Sequence, residues 1–423
     1  MKSQLITVTP SAWSHRGSAV VLSETGKPLD VWAGIVGEPC RVAVTHRGQH
    51  RSSANFIKLA GEPHPFRRND SQQSYHISGS CPLMHMTQEG QHQAKLSMVK
   101  DSLQAAGFAN HAPSKMEVSS EGEWAYRHVV KLVYGRSDRG SLRLGAYARG
   151  TNRIVTIADS EVVTPVLRDC MNGIAYRLIQ ADIWPYDPST GKGLLRYVVM
   201  RQSRSTGHVL VTLVGARKDS RLREMADMIQ SDIASVVGVL LHINDEPGNA
   251  IYARDEEGEI RTRKLVGKPY IEDIICSNSL GIGGGDFFQV NPAVAELICQ
   301  DILADFADHP ELPVLDLYCG VGSFTMALAK QHGWALGIEV IQGAIRQAKE
   351  SALRNRVAAE FMAGSVEDVL PSALARVAGK APLMVLNPSR KGLEPEVGKS
   401  VLEAKPMKLA YVSCNPRALS RDL

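Results

Sequence analysis

PVLDLYCGVGSFTMALAKQHGWALGIEV, residues 313–340, places two short apolar runs on either side of a helical stretch. PVLDLYCG (313–320) and WALGIEV (334–340) read as buried strands, and SFTMALAKQH (323–332) as the helix between them. A strand, a helix and a second strand in this order make a βαβ unit with parallel strands. The alternation continues downstream. GAIRQAKESALRNR (343–356) reads as a helix, AAEFMAG (358–364) and PLMVLNP (382–388) as strands, and KLAYVSC (408–414) as the last strand. Apolar strands alternating with helices predict an α/β, doubly wound domain, its sheet covered on both faces and its ligands at the carboxyl ends of the strands.

Upstream the pattern differs. From 124 to 215 it is mostly strand, with YRHVVKLVY (126–134), LRLGAYA (142–148), RIVTIAD (153–159), LLRYVVMR (194–201) and HVLVTLVG (208–215). A helix near 221–237 and the strand VVGVLLHIND (236–245) complete a central α+β region. HQAKLSMVKDSLQAAGF (92–108) reads as a helix with Leu96, Val99, Leu103 and Ala106 at helical spacing and Gly107 as its stop. Residues 1–60 hold about five short strands parted by turns at Gly26, Gly34 and Gly37, the pattern of a small OB-type β-barrel. The expected domains are 1–60, 61–270 and 271–423.

Composition is that of an ordinary globular chain, 44% apolar and 22% charged. The longest apolar stretch, Ile233 to Ile243, is too short to span a bilayer, and the N-terminus lacks a secretory signal pattern. A cytoplasmic monomer without membrane attachment is expected. The seven cysteines (40, 81, 170, 276, 299, 319 and 414) are scattered, which argues against a disulfide framework. Residues 1–150 carry 18 Lys+Arg against 11 Asp+Glu, while 151–423 carry 30 against 33. The basic front, with Arg41, Arg47, Arg51, Arg67 and Arg68, suggests a polyanion partner.

The segment Asp316-Leu-Tyr-Cys-Gly-Val-Gly322 closes a strand and opens a helix. Taken alone it fits a plain tight turn as well as a nucleotide site. Glu339, at the end of the next strand, sharpens the reading, because an acidic side chain there accepts hydrogen bonds from ribose hydroxyls. The dinucleotide GxGxxG is incomplete and no P-loop Lys-Ser/Thr occurs. An adenosyl ligand without phosphates remains, and S-adenosylmethionine is the best candidate. Cys414 lies between a strand and a helix opened by Asn415-Pro416, where positive potential favours a thiolate. Such a thiolate adding to C6 of uracil would make C5 nucleophilic.

FFQVNP (287–292), DLYCGVG (316–322), GIEV (337–340), NPSRKGL (387–393) and YVSCNP (411–416) together resemble the RNA uridine C5-methyltransferases, in family order and spacing along almost the whole chain. The resemblance implies a TRAM domain at the N-terminus, a central RNA-binding domain and a class I (Rossmann-like) methyltransferase domain at the C-terminus. It implies that Gln289 contacts the donor, that Tyr318 packs on it, and that Ser323 lies at a contact position. It further implies that Glu339 binds the ribose, that Ser365 lies near the base, that Asn387 stands where most members have Asp, and that Cys414 is the nucleophile. RNA is the implied partner, 23S ribosomal RNA being favoured by the TRAM-like segment. Transfer RNA, or a catalytically inactive RNA-binding relative, are the alternatives.

Two departures stand out. The positions that hold an iron–sulfur cluster in many members read Gln72, Ser78, Cys81 and Ser160 here, so no cluster is expected. The family's general-base Glu, in a His-x-Glu motif, falls beyond Leu423, so a C-terminally truncated sequence is expected, with a degenerate member as the alternative.

Overall fold

The computed structural model describes residues 4–23, 26–68, 78–119, 121–137, 140–181, 183–187, 189–256, 258–286, 288–377 and 379–423. Gln72 and Phe287 lie outside the described residues. The chain packs as two compact units, one formed by Met1–Glu117, Ala148–Thr151 and Cys414–Leu423, the other by Val118–Tyr147 and Asn152–Ser413.

In the first unit six strands, β1 (Leu5–Val8), β2 (Ala12–Trp13), β3 (Ala19–Leu22), β4 (Pro28–Trp32), β5 (Cys40–Arg47) and β6 (Ser52–Leu59), form one sheet in the order β1-β5-β6-β4-β3-β2. Six strands stand where about five were expected: Leu5–Val8 and Ala12–Trp13 lie outside the expected strands, and β4 stands in a stretch, 24–36, expected to hold two. Val31, Cys40, Val42 and Ala54, all fully buried, form its core. Helix α1 (Gln88–Ala105) is capped by Thr87, whose hydroxyl accepts the Gly90 amide at 3.3 Å. Its buried residues are Gly90, Gln91, Ala94, Met98 and Leu103, whereas Leu96 and Val99 are half-buried and Ala106 is exposed. The expected apolar face is thus corrected by about one position. Met98 and Ala94 pack with Ile35, Leu83 and Met86, contacts that helical spacing alone does not specify.

In the second unit, β7 (Val129–Arg136), β8 (Leu142–Tyr147), β9 (Ile154–Val155), β10 (Leu195–Gln202), β11 (Val209–Gly215), β12 (Val236–Ile243) and β13 (Thr262–Gly267) form a seven-stranded sheet, ordered β13-β12-β11-β10-β7-β8-β9. The sequence reading missed α2 (Pro165–Gln180) among these strands. Its signal is local: Thr164 accepts the Leu167 amide and Pro165 occupies the first turn. Helix α3 (Ser220–Asp232) falls where a helix was expected. The hairpin of β14 (Tyr270–Ile275) and β15 (Asn278–Gly283) turns through Cys276 and Ser277, both at positive φ. Helix α4 (Pro292–Phe306) follows, and a Cys276–Cys299 disulfide ties it to that turn. One cross-link therefore exists where none was expected. Two cysteines 23 residues apart give no pairing signal until the hairpin brings their Cα atoms to 6.3 Å.

The remainder is the doubly wound part. Strands β16 (Val314–Leu317), β17 (Ala335–Glu339), β18 (Ala359–Ala363), β19 (Leu383–Leu386) and β20 (Lys408–Tyr411) are all parallel, in the order β18-β17-β16-β19-β20. They alternate with α5 (Ser323–His332), α6 (Gln342–Asn355), α7 (Val366–Arg376) and α8 (Pro395–Ala404). Leu315 and Leu317 face one apolar cluster and Val314 faces another, so both sides of the sheet are covered. Strand order reverses between β16 and β19, which opens a crevice at their carboxyl ends. The last strand stops at Tyr411, short of the expected Cys414, and α9 (Pro416–Asp422) packs on α1 in the first unit. Among the described residues no helix is long and apolar enough to cross a membrane.

Candidate functional site

The turn after β16 is shaped by three left-handed residues, Tyr318 (φ 66°), Gly320 (φ 57°) and Gly322 (φ 81°). For Tyr318 this conformation is strained, and the surrounding bonds hold it. The Cys319 amide donates to the Ile338 carbonyl at 3.0 Å and the Gly322 amide to the Cys319 carbonyl at 3.0 Å. Gly322 cannot carry a side chain, since a Cβ there would meet the Phe361 ring at 2.6 Å. Gly320 is different: a Cβ there would meet nothing within 4 Å, so its backbone borders open space. Below the turn, the buried Asp316 accepts the Thr325 hydroxyl on Oδ2 at 2.6 Å, and its Oδ1 has no hydrogen-bond partner. Burial pushes the Asp316 carboxyl up to about 7, against the lowering effect of Thr325.

Glu339, at the end of β17, joins this turn to the start of α6. Its Oε2 accepts the Gly320 amide at 3.2 Å and its Oε1 the Ile341 amide at 3.0 Å. Burial raises its pKa, partly offset by these backbone donors. Each oxygen keeps a second lone-pair direction, so the carboxylate can still accept from a ligand's hydroxyls. An open glycine backbone, an acidic strand end and a helix N-terminus at Ser323 fit an adenosyl ligand, the donor inferred from the sequence.

The other sequence-predicted residues fall as follows. Tyr318 and Ser323 lie on the turn itself, and Ser323 is the first residue of α5. Ser365 ends the loop after β18 as the cap of α7, where its hydroxyl donates to Asp368 at 2.6 Å and accepts that residue's amide. Asn387 follows β19 and donates its amide to the Leu317 carbonyl at 3.2 Å. These residues occupy the carboxyl ends of neighbouring strands β18, β17, β16 and β19. Gln289 is half-buried in the loop before α4, and Asp286 in the same loop accepts the Gly283 amide at 2.7 Å. Burial raises the pKa of Asp286. Cys414 is an exposed free thiol, three residues beyond β20 and next to Asn415, which caps α9. It opens the last segment of the first unit, Cys414–Leu423.

Sequence reasoning missed Glu259. This buried carboxylate accepts the Gln342 amide at 2.6 Å and the Gly343 amide at 2.9 Å, capping α6 across 83 residues of chain. It therefore continues the row of held amides that Glu339 begins at Ile341. No local signal marks it, because its partners are distant in sequence. A cavity of about 700 Å³ opens beside it, lined by Gly283–Asp286, Tyr270 and Arg346 among others, and includes none of the predicted donor residues.

The basic residues of the N-terminal sheet are less free than their charges suggested. Arg67 pairs with Glu38 and lies over the Phe56 ring, Arg51 pairs with Asp30 at 3.3 Å, and Arg47 bonds Gln4. Arg68 donates to the Met86 carbonyl at 2.6 Å, while Arg41 is exposed. Of the positions where relatives have cluster cysteines, Ser78 bonds Ser80, Cys81 and Ser160 are buried, and no group of three His, Cys, Asp or Glu that could hold a metal occurs among the described residues.

Residues 282–423 match the tRNA (uracil-5-)-methyltransferase family model. An RNA methyltransferase of Synechocystis sp. is 32% identical over 394 residues, covering 92% of this chain and 82% of that protein. One of Streptococcus agalactiae is 30% identical over 425 residues, covering 100% and 92%. The crystal structure of the Pyrococcus abyssi tRNA (uracil-54, C5)-methyltransferase in complex with S-adenosyl-L-homocysteine shares the fold, with a TM-score of 0.74, 24% identity, and coverage of 99% of this chain and 92% of that one. Relatedness at this level and over this length places the chain among the S-adenosylmethionine-dependent RNA methyltransferases, in the family whose uracil-5 model its residues 282–423 match.

Proposed function

We propose that this chain methylates C5 of a uridine in RNA, that Cys414 is its nucleophile, and that ribosomal RNA is the substrate. The observation that carries the reading is the Glu339 carboxylate, which accepts the Gly320 amide of the open turn after β16 and the Ile341 amide at the start of α6. When bound there, S-adenosylmethionine supplies an electrophilic methyl on sulfonium. Glu339 would take the ribose hydroxyls, Tyr318 and Ser323 would border the adenosyl body, and Gln289, Ser365 and Asn387 would complete the enclosure. Cys414 is exposed, as a thiol that must meet a nucleic acid requires. Its thiolate adds to C6 of uracil, forming the S–C6 bond and moving the C5=C6 electron pair toward O4. C5 would then attack the sulfonium methyl, the S–CH3 bond breaking to leave S-adenosylhomocysteine. Loss of the C5 proton to a general base restores the double bond and expels the thiolate.

The N-terminal sheet, read as a TRAM-type OB barrel, supports ribosomal RNA. Transfer RNA is the second reading, favoured because the matching family model and the Pyrococcus abyssi structure are both of tRNA methyltransferases. Nucleoside mass spectrometry of ribosomal and transfer RNA from a strain lacking this protein decides between them. Loss of 5-methyluridine from 23S ribosomal RNA is the expected result, and loss from transfer RNA alone selects the second reading. Unchanged 5-methyluridine in both sinks the proposal.

A further inference from the structure

The central sheet carries a second feature that the donor site does not use. A cavity of about 650 Å³ lies at the β7–β8 end of the seven-stranded sheet, under the arm that runs from Trp184 to Arg196. Its walls include Tyr147, Trp184, Tyr186 and Tyr197, aromatic rings brought together from β8, β10 and the arm. Tyr197 is almost fully buried and its hydroxyl donates to the Asn249 carbonyl at 3.1 Å, so it forms the floor. Trp184 at the mouth is 54% exposed, unusual for a side chain with so much apolar area.

The arm does not leave this ring loose. The Leu194 amide donates to the Trp184 carbonyl at 2.9 Å, the Tyr186 amide to Leu195 at 2.9 Å, and the Asp187 amide to Lys192 at 2.8 Å. Gly193 sits at φ 96° where a Cβ would meet the Pro185 carbonyl at 2.0 Å, so the two sides of the arm are as close as backbone permits. Arg217 donates to the Gly193 carbonyl at 2.6 Å and ties the arm to the chain after β11. Trp184 is thus held out toward solvent on a fixed support.

Charge adds a second clue. The Arg136 guanidinium lies 5.1 Å from the Trp184 ring centre, and the Arg196 guanidinium 4.8 Å from that of Tyr186. Arg196 is consumed structurally, since it donates to the Asn244, Glu246 and Gly248 carbonyls. Arg136 and Lys192 are exposed at the rim. The one carboxylate there, Asp187, is occupied by the Ser189 and Thr190 hydroxyls. One rigid exposed indole over half-buried and buried tyrosines, with cations at the rim, suits a flat, partly apolar ring on an anionic backbone.

We propose that this cavity binds an unpaired RNA nucleobase, stacked on Trp184, with Arg136 and Lys192 facing the adjoining phosphates. The inference rests on the RNA-methyltransferase reading for the class of its ligand, and it assigns to the central sheet a base-binding site separate from the methyl-donor turn. Stacking on an aromatic is indifferent to base identity. The site would therefore hold the substrate strand open without selecting its sequence.

The test uses the full chain with a fluorescein-labelled oligouridylate dodecamer, a blunt RNA duplex of equal length and S-adenosylhomocysteine. Trp184→Ala should weaken dodecamer binding about tenfold, while duplex and S-adenosylhomocysteine affinities stay as in the wild type. Trp184→Phe should restore most of the loss, and the slope of log Kd against log salt should not change for either variant, because a stacked base releases no counterions. Arg136→Ala should lower that slope by about one. Unchanged dodecamer affinity in a Trp184→Ala chain that still binds S-adenosylhomocysteine overturns the site. Equal weakening of duplex and dodecamer overturns it too, and marks the arm as a general phosphate-tracking surface. Methyl transfer is assayed separately on ribosomal RNA, so its failure bears on the proposed function while the Trp184 series still decides the cavity.

Discussion

The turn after β16 and the aromatic cavity beside β7 lie in the same unit and differ in every material respect. The turn is made of backbone: strained left-handed residues, glycines, and carboxylates that hold amides in place. The cavity is made of side chains: five aromatic rings, with guanidinium groups against three of them. Acceptors and open amides suit a small hydroxylated ligand that must be placed to a fraction of an ångström. Rings and cations suit a polyanion that must be held and released. The difference also governs titration. The turn contains carboxyls raised by burial, Asp316 to about 7. In the cavity Tyr147 is pushed up to about 12, mainly by burial, and stays neutral at working pH.

Four experiments sharpen or break this contrast. The largest effect is expected where neither region acts. Cys414→Ala should reduce methyl transfer by more than about a thousandfold, with S-adenosylhomocysteine and RNA affinities preserved. Retained transfer would move the nucleophile elsewhere. The second concerns Asp316, whose ordinary pKa is 3.8 and whose folded value is about 7. Between these values the folded chain keeps a proton that the unfolded chain has lost. Stability contributed by Asp316 is therefore complete below about pH 4, declines as pH rises toward 7, and changes little above it. The span is on the order of 4 kcal/mol, and Asp316→Asn should flatten that part of a denaturation series taken from pH 4 to 8. An identical slope in the variant would place the titration elsewhere.

The third is Glu339→Ala, expected to weaken donor binding by about 1.5–3 kcal/mol through loss of a charge-assisted acceptor, while dodecamer affinity is untouched. Calorimetry with S-adenosylmethionine reads it, and unchanged affinity removes Glu339 from the site. The smallest effect belongs to Glu259→Ala, which leaves the first amides of α6 without their cap. A stability loss of about 1 kcal/mol and a few-fold weaker donor binding are expected, with RNA binding unchanged. A normal donor affinity in the folded variant would mean that the held amides of Gln342 and Gly343 do not influence their neighbour Glu339.

What the sequence disclosed and what it hid divide along the same line. The parallel sheet and the Asp316–Gly322 turn were legible because a buried strand, a glycine turn and a helix start are written in consecutive residues. Strands β3 to β6 were legible for the same reason, as alternating runs between glycines. Helix α2 was overlooked although Thr164 and Pro165 announce its start, because apolar strands on both sides dominated the reading. The buried face of α1 was displaced because tertiary partners, here Ile35, Leu83 and Met86, choose which of two adjacent stripes turns inward. Glu339 was read from its strand end, Ser365 and Asn387 were implied only by the family resemblance, and only the strand order makes them neighbours. Trp184 and Tyr147 carried no motif. Their meeting depends on the path of an arm and the register of β7 against β8 and β10, which no window of sequence contains.

Glu259 has a consequence for how far this chain is modular. The five-stranded parallel sheet has apolar clusters on both faces, one of them shared with Leu210 and Leu240 of the central sheet, and in outline it could be exchanged with that of a relative. Yet the opening turn of α6, next to the end of β17, is finished by a carboxylate that belongs to the segment before β13. A transplanted parallel half would arrive with those amides bare, and a recipient would have to offer an acidic side chain at the same spot. The unit of inheritance for the donor turn is therefore longer than the sheet that carries it, and begins at or before Glu259.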